Sequence, residues 1–68
     1  MNFHSAKILE NFSYAMACMA RVEAMKARNE ADKIIGKPPS FDSQKFFDEA
    51  GNIDSCAASI HAYAENAQ

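Results

Sequence analysis

Apolar residues recur along the first half of the chain at helical spacing. Ile8, Phe12, Ala15, Met19 and Val22 follow one another at four-three-four-three intervals, the signature of one face of an α-helix. A second row, Ala17, Ala20, Ala24, Ala27, Ala31 and Ile34, runs beside it, and Leu9 and Met16 fill the wedge between the two. Neighbouring residues sit about 100° apart around a helix, so this apolar surface wraps close to half the circumference. Ala, Met, Glu, Lys and Arg dominate from Ala15 to Lys33, and neither Gly nor Pro interrupts. The pattern predicts one helix over about residues 4–35. Asn2 or Ser5 is placed to cap it, with Phe3 as a hydrophobic staple outside.

The clear break is Gly36-Lys37-Pro38-Pro39-Ser40-Phe41. Gly36 stands where a left-handed C-terminal cap belongs, and the consecutive prolines cannot continue a helix. Phe41 is expected to fold back over the end of the bundle. A second row then begins: Phe46, Ala50, Ile53, Ala57, Ile60 and Ala64, flanked by Phe47, Cys56 and Tyr63. Asp42 or Ser43 is an acceptable N-cap. Gly51 costs on the order of 1 kcal/mol inside a helix, and a break there would hand the cap of a third helix to Asn52 or Asp54. The apolar row continues in phase through Gly51, which predicts one helix over about 43–66.

These elements make an all-α fold: a single domain, residues 1–68, of two long helices hinged at 36–42. Each helix carries more apolar surface than one partner covers. A chain of 68 residues is also close to the lower size at which one core suffices. Two cysteines make no disulfide framework and no metal-ligand set is evident, so association is the remaining route to stability. The expectation is a homodimer of hairpins resembling a four-helix bundle. Its core or dimer interface would draw on Ile8, Phe12, Met16, Met19, Val22, Phe46, Ile53, Ala57 and Ile60.

Charge adds an orientation. The net charge of −2 is too small to indicate a nucleic-acid or membrane partner, yet residues 1–37 carry six Lys/Arg against four Asp/Glu and residues 38–68 one against five. Opposite signs on the two halves suit an antiparallel pair of helices. No apolar run reaches the roughly 18 residues of a membrane span and the N-terminus lacks a signal-peptide pattern. A cytoplasmic location with Cys18 and Cys56 as reduced thiols is therefore expected.

Chemistry is sparse. His4, Cys18, Cys56 and His61 lack the close pairing of zinc ligands. Neither cysteine has a base and an orienting partner at a spacing that would activate it. Glycine-rich phosphate loops, nucleophile elbows and HExxH are missing from the sequence. No enzyme and no cofactor is expected. Arg21 and Arg28 share a helical face, as do Lys26 and Lys33, and a hairpin dimer of this size resembles in architecture a small RNA-binding plasmid regulator. Glu23, Glu30 and Asp32 are interleaved among those cations, however, and stacking aromatics are missing there. Phe41, Phe47 and Tyr63 are the candidate anchors for a protein partner.

The run Met25 to Ala31, with Gly36, Phe41 and Phe46 to Ala50, resembles small accessory proteins from the early region of lambda-like temperate phages. The resemblance covers the middle third of the chain. It implies a small helical dimer made early in infection that acts by binding, with a host protein as partner and no active site. The resemblance carries no functional residues onto this chain. The sequence thus points to a non-enzymatic homodimeric protein-interaction module, with a nucleic-acid-binding regulator on the same hairpin as the alternative.

Overall fold

The computed structural model describes residues 2–66. Two helices account for nearly all of them: α1, Phe3–Ile34, and α2, Ser43–Asn66, packed on each other as a hairpin. There is no strand among the described residues.

Each end of the hairpin is set by local chemistry. Asn2 caps α1, its Oδ1 accepting from the Ser5 amide at 2.8 Å, which satisfies one of the unpaired donors of the first turn. Phe3 is the first residue of α1, inside the helix where a staple residue would stand outside. At the other end Ile35 caps the helix and Gly36 takes φ +77°, a conformation that costs a residue without a Cβ nothing. The Gly36 amide donates to the Lys33 carbonyl at 3.1 Å and the Lys37 amide to the Asp32 carbonyl at 2.8 Å. This is the doubly bonded Schellman termination expected of a glycine past a helix end. Asp42 caps α2 through the Lys45 amide, 3.2 Å from Oδ1. Helix α2 passes Gly51 unbroken.

The seam between the helices runs along Ile8, Asn11, Ala15, Cys18, Val22, Met25, Asn29 and Asp32 of α1, all buried or half-buried, at three-four spacing. From α2 it takes Phe46, Glu49, Ile53, Cys56, Ile60 and Tyr63. Of the expected core residues, Ile8, Val22, Phe46, Ile53 and Ile60 therefore line it. Phe12, Met16, Met19 and Ala57 do not; they are exposed, and Asn11, Cys18 and Cys56 stand in the adjoining places.

The reason lies toward the turn. Carried onward, the row through Phe12 and Met19 arrives at Lys26 and Lys33, whose charges would have to be desolvated in the seam. The observed row arrives at Met25, Asn29 and Asp32, and the turn supplies partners for the last two. In α2 the same rotation replaces alanines by Cys56 and Tyr63, which bury more surface, and by Glu49, which finds Arg21.

Candidate functional site

The turn is held by two seam side chains. Asn29 Nδ2 donates to the Phe41 carbonyl at 2.8 Å, and its Oδ1 accepts from the Phe41 amide at 3.0 Å. One side chain thus satisfies both backbone groups of a residue in an irregular segment. Three residues on, Asp32 Oδ2 accepts from the Ser40 amide at 2.9 Å and from the Ser40 hydroxyl at 2.5 Å, while Arg28 lies 3.4 Å from Oδ1. The Ser40 hydroxyl bond, helped by the Ser40 amide and by Arg28 and Lys37, holds the Asp32 carboxyl below its ordinary range against the opposing effect of burial. Phe41 itself is half-buried beside Ala24 and Met25 of α1.

A second polar group sits midway along the seam. Arg21 meets Glu49 through two parallel bonds of 3.1 and 3.2 Å and also donates from Nη2 to Cys18 Sγ at 3.1 Å. The fork geometry is that of an arginine–carboxylate pair. Arg21 lowers the Glu49 carboxyl, and Glu49 in turn raises the Arg21 guanidinium. Burial pushes the Cys18 thiol up, and its hydrogen bond to Glu49 adds to this, outweighing the nearby Arg21 charge. A buried thiol shifted upward is a poor nucleophile. Cys56 is also buried and unbonded to Cys18. His61 lies on the surface with Glu65 at 3.0 Å, and His4 is in the aromatic cluster at the opposite end of the hairpin. Among the described residues no three His, Cys, Asp or Glu side chains converge as metal ligands.

The four candidate cations for nucleic acid are divided between two sides of the hairpin. Arg21 and Arg28 border an open groove of about 760 Å³, lined also by Ala24, Met25 and Phe41 and by Lys45 and Asp48. Both arginines are engaged, one by Glu49 and the other by Asp32. Lys26 and Lys33 border a smaller groove with Lys37 and Pro39 on the other side, and Lys26 pairs with Glu23 at 3.3 Å.

The anchors expected for a protein partner are unequal. Phe47 is 71% exposed. Phe41 is committed to the turn, and Tyr63 packs edge-on to Phe3 with ring centroids 6.1 Å apart. A row of exposed large apolar side chains lies elsewhere: Leu9, Phe12, Met16 and Met19, each about half exposed, on a flank of α1. Arg21 and Arg28 share their side of the seam with Lys45 and Asp48. The opposite side therefore pairs this row with Ala50, Ala57 and Ala64 of α2, all exposed. Ile34 and Ile35 add a small apolar end at the turn, 77% and 64% exposed.

The clamp residues Asn29 and Asp32 escaped the sequence reading, although a signal existed. They continue the spacing of Val22 and Met25, and polar residues in phase with an apolar row just before a turn mark side chains that bind the turn's backbone. No helix among the described residues is long and apolar enough to cross a membrane. The chain matches no protein-family model, no curated protein and no solved structure.

Proposed function

We propose that this chain is a small non-enzymatic interaction module that works as a homodimer, two hairpins completing a four-helix-bundle-like assembly. The row of half-exposed large apolar side chains from Leu9 to Met19 carries this reading. Supporting it, the hairpin is a single layer of helices, 54 × 19 × 10 Å, whereas domains bury their apolar faces between at least two layers. The resemblance to early accessory proteins of temperate phages extends the proposal: a phage product in the host cytoplasm that modulates host or phage development by binding a host protein. Phe47 and the Ile34–Ile35 end supply apolar anchors for such a partner. The alternative, a nucleic-acid-binding regulator, draws on the Lys26, Lys33 and Lys37 groove, and the division of the four cations between two sides weakens it.

Sedimentation equilibrium over a wide concentration range, with helicity followed alongside, tests the module. A helical dimer at micromolar concentration is the expected result. A folded monomer at every concentration would overturn it.

A further inference from the structure

The geometry points to one dimer in particular, resting on the homodimer reading above: a second copy seats on the α1 flank in antiparallel orientation, Leu9 against the second copy's Met19 and Phe12 against its Met16. The occupant follows first from area. A compact monomer of 7.5 kDa exposes about 4,250 Å². This chain exposes 5017 Å². The excess of about 770 Å² matches the ~800 Å² that each partner gives up in a standard interface.

The orientation follows from spacing and charge. Leu9, Phe12, Met16 and Met19 are separated by three, four and three residues, a spacing that reads the same in either direction. An isologous contact needs such self-complementarity. Centred between Phe12 and Met16, a two-fold axis opposes all four side chains at once and leaves Glu23 and Lys26 beyond the end of the row. Residues 21–49, the turn end as far as the Arg21–Glu49 pair, hold six Lys/Arg against six Asp/Glu, and the rest of the chain one against three. Antiparallel hairpins set the acidic open end of each beside the balanced turn end of the other; parallel hairpins would set the two acidic ends side by side. The exposed alanines of α2 on the same side, Ala50, Ala57 and Ala64, let the second layer approach closely.

The test is a charge exchange read by sedimentation equilibrium. Phe12→Glu alone and Met16→Lys alone should each raise the dimer dissociation constant about 100-fold or more, since each buries an unpaired charge twice per dimer. The double variant Phe12→Glu/Met16→Lys should return to within about tenfold of the original, because antiparallel pairing sets each glutamate against a lysine. A parallel dimer would set Glu on Glu and Lys on Lys and stay dissociated, which would overturn the orientation while leaving the homodimer standing. Single variants as tight as the unaltered chain would overturn this flank as the interface. An unaltered chain that is monomeric would instead overturn the homodimer reading itself. Should the single variants lose helicity on dissociating, nitroxides carried at Lys33→Cys in the otherwise unaltered chain give a second readout. Antiparallel pairing separates them by roughly 55 Å along the helices, and parallel pairing by about 20 Å or less.

Discussion

Two stretches of α1 face the same problem, side chains that one partner helix cannot fully serve, and meet it in opposite ways. Near the turn, Asn29 and Asp32 are polar residues placed in an apolar seam, and each is matched within the chain by the backbone of Phe41 and Ser40. Among the described residues no buried side-chain polar atom is left without a partner. Some 20 Å back along the helix, Phe12, Met16 and Met19 are apolar residues left about half exposed to water. A polar group in the seam must be satisfied inside the fold, because leaving it unpaired costs about 1–3 kcal/mol. An exposed apolar group carries no such local demand and can wait for a second molecule. The polar groups of the turn are therefore satisfied within one chain, and the flank is what remains for a second copy.

The seam beside the turn gives the largest expected effect. Met25, 7% exposed, is the only large aliphatic side chain buried near the clamp, and Met25→Ala should destabilise the hairpin by about 2–4 kcal/mol, measured by urea unfolding. Met16→Ala, on the flank, should cost the isolated hairpin less than about 0.5 kcal/mol. Comparable losses from the two substitutions in a dilute, monomeric sample would erase the contrast between buried seam and open flank.

Acid should act on the seam and spare the flank. Asp32 and Glu49 both have folded pKa values depressed below their unfolded ones, by the Ser40 hydroxyl and by Arg21 respectively. The stability they contribute is fully present above the unfolded values, roughly pH 4, and is lost as pH falls through the folded ones. The melting temperature should be level from pH 7 to about 5 and fall below that. Asp32→Asn should flatten the acid limb, leaving the part that belongs to Glu49, and should lower the melting temperature at pH 7 by roughly 5–10 °C. An acid limb unchanged by Asp32→Asn would mean that the Ser40 contacts hold no charge-dependent stability.

The same contrast explains what could be read from the sequence. The two helices, the Asn2 and Asp42 caps, the Gly36 termination and the unbroken passage through Gly51 follow from local rules, and local rules are visible in sequence. The seam was legible only in part. Alanine is frequent in both helices and fits a seam, a flank or a solvent face equally well, so rows such as Ala50, Ala57 and Ala64 gave no preference. Deciding between Phe12 and Asn11 required knowing that the same row must end at the turn, where Asp32 meets Ser40 and Lys33 would meet nothing. Apolar strength argued for Phe12; satisfaction of polar groups some 20 residues away argued for Asn11. The second is a tertiary fact.

The two glycines give the smallest and most selective comparison. At Gly36 the backbone has φ +77° and nothing lies within 4 Å of an added Cβ. A Gly36→Ala substitution meets no clash, yet it should cost about 1–2 kcal/mol through the left-handed conformation alone. Gly51 has equal space around it but is helical, exposed and mid-element. It falls on the outermost position of α2, two residues from the seam residues Glu49 and Ile53. Here the alanine methyl removes backbone entropy from the unfolded chain without touching a neighbour. Gly51→Ala should therefore stabilise by about 0.5–1 kcal/mol, a rise of roughly 3–6 °C in melting temperature for a domain of this size. Because that position faces neither the seam nor the apolar flank, the dimer dissociation constant should stay the same. A gain in stability with weakened association would place Gly51 at an interface and move the second copy from α1 to the outer face of α2.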